Sequence, residues 1–170
     1  HKVAINMEQK YIYSFSQIED KVKALHETNT EAAAAVALSW LGLSPDELKT
    51  LRVSDYNSTM RMLHSAGRVV YVREDLIADM LKAICEEAPE YSMGFFITDV
   101  NSAYEAAEKQ ELSPISVLKM RYFYEKHSAK LSGEPEDRVF LKEILRSVGE
   151  SEADMEKQFA EYEKDAPEKI

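Results

Sequence analysis

The stretch at residues 41–51 reads LGLSPDELKTL and carries the strongest local signal in the chain. Ser44 is a favourable helix N-cap, and Pro45 suits the first helical position because its missing N–H would have no intrahelical partner there. Glu47, three residues after Ser44, completes a capping box. The stretch therefore predicts a short helix that carries Leu48 on its apolar side.

Two further helices are predicted before this stretch. Ser16 and Glu19 fit a second capping box, and apolar residues follow at helical spacing to about His26. Thr30 is then expected to cap an alanine-rich helix that runs to Trp40. Because alanine side chains let neighbouring elements approach closely, we expect this helix at the centre of the core.

After the stretch, the pattern changes from helix to strand and back to helix. Residues 59–63 and 68–72 predict two strands around a turn at residues 64–67, where Gly67 can take a positive φ. Helices are then predicted from Asp75, over 101–109, from Ser113 to about Leu131, over 136–146 and over 152–164. The predicted fold class is therefore mainly α with one small β-hairpin.

The chain has 170 residues, which is enough for one domain with a sizeable core. We predict a single domain over residues 1–170, with about 1–13 and 165–170 as tails. The first residue is His1 rather than Met, which is typical of either a fragment or a chain with a tag remnant; the first alternative predicts an upstream domain.

Two compositional features bear on location. No apolar run approaches the roughly 20 residues that a membrane span needs, so no membrane partner is predicted. The single cysteine, Cys85, cannot form an internal disulfide, which is typical of a reducing compartment. A cytoplasmic protein is therefore expected.

The formal net charge of −10 argues against a generic nucleic-acid binder, because phosphate contacts need a basic surface. The charge is unevenly distributed along the chain. Residues 1–111 contain 11 Lys/Arg and 18 Asp/Glu, residues 112–146 contain 7 and 5, and residues 147–170 contain 3 and 8. Of these three segments only 112–146 is net basic, so a DNA contact is predicted there.

Three short motifs add a family resemblance. Residues 41–56 read LGLSPDELKTLRVSDY, residues 112–114 read LSP, and residues 145–149 read LRSVG. In this order they resemble the G-L-R-x-x-E-L-x-x-L-x-x-x-D-I, L-S-P-H-x-L-R-H and L-G-H segments of the tyrosine recombinases, the phage integrase family. The similarity extends from about Ala32 to Tyr162 and implies a fold like the catalytic domain of that family.

The resemblance also implies a catalytic set that this chain does not match. The family binds the phosphate with two arginines and accompanying His/Lys residues, and a tyrosine attacks it. The corresponding positions fall on Ser44, Ile115, Leu118, Lys119, Glu150 and Phe159. Tyr162, one helical turn after Phe159, is the fallback nucleophile in a shifted register. We therefore lean towards a protein that is not an enzyme.

The first functional hypothesis is a catalytically inactive protein of a phage or mobile element that resembles the tyrosine recombinases. Its role would be DNA binding, with duplex DNA as the partner, or regulation. Its predicted DNA contacts are Lys119, Lys126 and Lys130, which share one face of the helix from Ser113, and Arg121 on another side. The alternative for these side chains is an ordinary solvated helix face.

Two other hypotheses stay open. One is an active integrase fragment that recombines DNA with Tyr162 as nucleophile. The other is a helical protein-interaction module without DNA binding, which contacts itself or a partner protein through the C-terminal helix. No cofactor and no metal site are predicted, because His26, His64 and His127 lack the spacing of metal ligands.

Overall fold

A computed structural model describes residues 10–87, 94–127 and 135–166, the side chains of residues 135–140 excepted. The helices are α1 (Glu19–Thr28), α2 (Thr30–Trp40), α3 (Pro45–Thr50), α4 (Asp75–Glu87), α5 (Val100–Lys109), α6 (Pro114–His127), α7 (Pro135–Val148) and α8 (Glu152–Lys164). The strands are β1 (Tyr56–Asn57), β2 (Met62–Ser65) and β3 (Arg68–Tyr71). The prediction of a mainly helical fold with a small β element is confirmed, and the end of α6 expected near Leu131 lies outside the described residues.

The alanine-rich helix α2 is central, as its composition predicts. Ala32, Ala33, Ala34 and Ala35 are all fully buried. Helices α1, α4, α5 and α6 all pack against α2. Small side chains along α2 allow this close approach of four neighbours.

Two of the predicted N-caps are displaced in the structure. Ser16 lies inside a 3-10 turn that precedes α1, so it does not have the extended backbone of a cap, and α1 begins at Glu19 without a side-chain cap. For α2 the cap is Asn29 rather than Thr30. The Asn29 side chain accepts a hydrogen bond from the Ala32 N–H at 3.0 Å.

The hairpin turn is tighter than predicted. It contains only Ala66 and Gly67, whose φ values of 51° and 78° are both positive. That combination defines a type I′ turn, whose twist matches that of the flanking strands. His64 and Ser65, predicted in the turn, therefore remain in the β2 ladder.

The sheet also has one more strand than predicted. The two residues of β1 pair antiparallel with β2, with Tyr56 opposite Leu63, and the strand order is β1-β2-β3. Strand β3 therefore lies at one edge of the sheet.

The capping box at the start of α3 is confirmed, and it has a second role. The Glu47 carboxylate accepts hydrogen bonds from the Ser44 N–H at 2.9 Å, the Ser65 hydroxyl at 2.9 Å and the Arg68 guanidinium at 3.0 Å. Arg68 also donates to the Gly42 carbonyl at 3.1 Å. The buried Glu47 carboxylate thereby joins the N-terminus of α3 to the turn end of the hairpin.

A second apolar cluster joins the two ends of the described chain. Tyr11 and Tyr13 fall in the stretch predicted as an N-terminal tail, yet both are buried. The Tyr13 hydroxyl donates to the Tyr162 carbonyl at 2.7 Å, and the two rings lie 4.5 Å apart. Residues 11–13 thus pack against α8. Of the predicted C-terminal tail, residues 167–170 lie outside the described residues.

We expect Arg68→Ala to lower the free energy of unfolding by about 2 to 3 kcal/mol, because it leaves the buried Glu47 carboxylate with fewer donors. Urea denaturation measures this. The matched control is Arg61→Ala, which removes an exposed pair with Asp75 and should cost less than about 1 kcal/mol. Equal costs for the two variants would show that the Glu47 network does not stabilise the fold.

Candidate nucleic-acid interface

Four of the six positions that fall on the family's catalytic residues, namely Ser44, Ile115, Leu118 and Phe159, do not form a polar pocket, and the other two, Lys119 and Glu150, pair with each other. Ser44 is buried as the cap of α3, and Leu118 is fully buried in the second apolar cluster. Ile115 is half-buried. Phe159 is half-buried and stacks on Tyr162, with ring centroids 6.1 Å apart and planes inclined by 23°. None of the four side chains offers a cationic group to a phosphate.

The fallback nucleophile, Tyr162, is fully buried. The rings of Tyr13 and Phe123 lie 4.5 and 5.2 Å from its own ring. Its hydroxyl faces the Ile12 carbonyl at 3.5 Å, and burial raises the pKa of Tyr162 far above the ordinary tyrosine value. A phenol in this position is protonated and is not accessible to a phosphodiester.

The predicted lysine stripe on α6 is not an open basic face. The side chains of Lys119 and Lys126 are only 21% and 24% exposed. Lys119 pairs with Glu150 at 2.5 Å, and Lys126 pairs with Glu156 on α8. Gln158 also donates to the Glu150 carboxylate. Both described lysines of the stripe are therefore bound to acidic side chains of the same chain.

The other two predicted DNA contacts give no open face either. Arg121 pairs with Glu125 at 2.5 Å, and its guanidinium lies 5.3 Å from the centre of the Trp40 ring. This arginine is thus part of the packing between α6 and α2. Lys130 lies outside the described residues.

Residues 49–73 form a basic segment. Dividing the chain into the three segments 1–111, 112–146 and 147–170 did not reveal it. It contains five Lys/Arg and one Asp, a net charge of +4 in a chain whose net charge is −10. Counting charge over all of residues 1–111 averaged this segment with its acidic flanks. A shorter window would have found it from the sequence. The basic residues are Lys49, Arg52, Arg61, Arg68 and Arg73.

The hairpin exposes part of this segment beside apolar side chains. Met60, Arg61, Tyr71 and Arg73 line one shallow depression, which we call the hairpin surface. Met60 and Tyr71 are 63% and 58% exposed, and Arg73 is also exposed. Arg61 pairs with Asp75 at 2.9 Å, where both side chains remain open to solvent. The hairpin surface thus combines two accessible guanidinium groups with an accessible aromatic ring.

Metal sites and membrane-spanning helices were also sought among the residues that the structure describes. Within 10–87, 94–127 and 135–166, no three His, Cys, Asp or Glu side chains come together as a metal would require. In the same residues no helix is both long enough and apolar enough to cross a bilayer.

Comparison of the chain with protein-family models, with curated proteins and with solved structures finds no match. The tyrosine-recombinase resemblance therefore stays a prediction that depends on the motifs and their order.

The contact between Lys119 and Glu150 should make stability depend on pH. The hydrogen bond from Lys119 lowers the pKa of Glu150 below the ordinary value of 4.5. A lowered pKa in the folded state contributes stability above the unfolded value, and that stability is lost as pH falls through the folded value.

We therefore expect Glu150→Gln to be less stable than the unchanged chain at pH 7, with the difference shrinking as pH falls below 4.5. Urea denaturation at pH 7, 5, 4 and 3 measures this difference. A stability difference that is independent of pH would show that the pair with Lys119 does not form in solution.

Proposed function

We propose that the chain is a non-catalytic, tyrosine-recombinase-like protein with a DNA-binding, regulatory role, and that its contact with duplex DNA is the hairpin surface. The observation that carries this proposal is the hairpin surface, where the accessible guanidinium groups of Arg61 and Arg73 lie beside the exposed Tyr71 within the basic segment 49–73.

The chemistry of the hairpin surface suits a phosphate backbone. Guanidinium groups bind phosphate oxygens in two-point contacts, and a two-stranded β-ribbon fits the major groove of B-DNA. The pair between Arg61 and Asp75 is solvent-exposed, so it stabilises the fold by less than about 1 kcal/mol and a phosphate can compete for the arginine. Acidic side chains elsewhere repel phosphates, which favours one docking orientation.

The non-catalytic part of the proposal depends on the buried tyrosine and on the missing cations. Tyr162 lies in an aromatic cluster, and Ser44, Ile115 and Leu118 stand where the family resemblance calls for phosphate-binding groups. Lys119 is the one cation at these positions and it pairs with Glu150, so most of the charge that develops in the transition state of strand cleavage would be unstabilised.

We expect Arg61→Ala/Arg73→Ala to weaken binding to a 25-base-pair duplex by about tenfold and to reduce the slope of log affinity against log salt by about two units. Fluorescence anisotropy at several salt concentrations measures both. The matched control is Lys21→Ala/Lys23→Ala, which removes the same charge from exposed positions of α1 and should change the slope little. Equal losses in the two double variants would mean that total charge, rather than the hairpin surface, sets the affinity.

We further expect that Phe159→Tyr produces no DNA cleavage. The new hydroxyl would lie in the packing between α6 and α8, and no phosphate-binding cation would accompany it at Ser44, Ile115 or Leu118. A nicked-plasmid assay and a search for a covalent 3′-phosphotyrosyl adduct measure this. An adduct with this variant would show that the catalytic pocket lies elsewhere, and an adduct with the unchanged chain would support the integrase hypothesis.

A specific observation also supports the protein-interaction hypothesis. Val69 and Tyr71 are 42% and 58% exposed on β3, which lies at the edge of the sheet, and edge strands can accept a further strand. The C-terminal helix is a weaker candidate for such a contact, because Met155 and Tyr162 of α8 are already buried within the chain. Failure to bind duplex DNA or heparin at low salt, together with self-association that Val69→Lys abolishes, would favour this second function.

A further inference from the structure

A second cationic site lies under the acidic C-terminal segment. Lys119 and Lys126 are seven residues apart on α6, which places them on one face at a separation of about 10 Å along the helix axis. The Glu150 and Glu156 carboxylates bind their ammonium groups. These carboxylate oxygens occupy positions from which phosphate oxygens could accept the same hydrogen bonds.

Contacts connect this site with the hairpin. Glu47 of α3 binds the turn end of the hairpin, and the neighbouring Asp46 accepts a hydrogen bond from Arg146 of α7 at 3.1 Å. Helix α7 ends at Val148, and the chain reaches Glu150 two residues later. The hairpin turn, the start of α3, the end of α7 and the Glu150 segment are therefore successive neighbours. A duplex bound at the hairpin that extends along these elements would reach Lys119.

We propose that Glu150 and Glu156 mask a second phosphate-binding site, formed by Lys119 and Lys126, and that a polyanion bound at the hairpin surface displaces the two carboxylates. This inference depends on the proposed function and describes its regulation. The carboxylates of the acidic C-terminal segment would compete with phosphates for Lys119 and Lys126, so that weakly binding anions do not reach these two lysines.

Unmasking does not require α8 to leave α6. Met155 and Tyr162 are fully buried and hold α8 in place through apolar packing. Unmasking needs only rotation of two glutamate side chains, of which Glu156 is already 46% exposed. The lysine ammonium groups, on flexible four-carbon stems, can then turn toward solvent.

The test uses Glu150→Gln/Glu156→Gln in the full chain. We expect its affinity for the 25-base-pair duplex to rise about tenfold, because the bound duplex no longer has to displace the two carboxylates, while its salt slope stays close to that of the unchanged chain. The matched control is Asp154→Asn/Glu163→Gln, which removes the same charge from exposed positions of α8. The control should show a clearly smaller gain in affinity and no change in slope.

Adding Lys119→Ala/Lys126→Ala to the glutamine variant should cancel its gain. Circular dichroism and urea denaturation of every variant confirm that each one is folded before binding is compared. This reversal distinguishes a freed lysine site from a general loss of negative charge.

The outcomes separate masking from the proposed function. If the unchanged chain binds through the hairpin surface and the glutamine variant gains no more than its control, the masking inference is wrong and the proposed function stands. If only the glutamine variant binds, in a manner that needs Lys119 and Lys126, the masked site stands and the hairpin assignment fails. If no folded variant binds at low salt, both are overturned.

Discussion

The buried carboxylate of Glu47 determines how the hairpin is mounted on the helical body. It accepts hydrogen bonds from Ser44, Ser65 and Arg68, so one group caps α3, anchors β2 and pairs with β3. Burying a carboxylate is costly unless such donors surround it, and here they come from two separate segments of the chain, the start of α3 and the hairpin. This carboxylate therefore fixes the turn end of the hairpin to the start of α3.

The features that could be predicted from sequence are those whose causes lie within a few residues. The capping box of Ser44 and Glu47 spans one helical turn, and the central position of α2 follows from its run of alanines. The existence of the hairpin was predicted for the same reason, but the bounds of its first strand and the length of its turn were not. A type I′ turn needs two residues with positive φ, and Ala66 gives no hint that it will adopt one.

Contacts between distant residues could not be predicted in the same way. Lys119 and Lys126 share a face by helical spacing, but the residues that cover this face lie about thirty positions later. Tyr13 packs on Tyr162 across 149 positions, so part of a stretch predicted as an N-terminal tail belongs to the core. The periodicity of one helix predicts which of its side chains share a face. It does not predict which other element packs against that face.

Total charge is a poor guide to polyanion binding for a related reason. At physiological ionic strength exposed charges interact over about 8 Å, so a phosphate at Arg61 and Arg73 is affected by their immediate neighbours far more than by distant carboxylates. Cations in largely buried ion pairs, such as Lys119, add less to this local field than cations in pairs that remain open to solvent, such as Arg61. What decides binding is therefore the exposure and pairing of individual cations. By this criterion the hairpin outweighs α6, although the sequence pattern favoured α6, and the net charge of −10 is compatible with a DNA contact confined to one small surface.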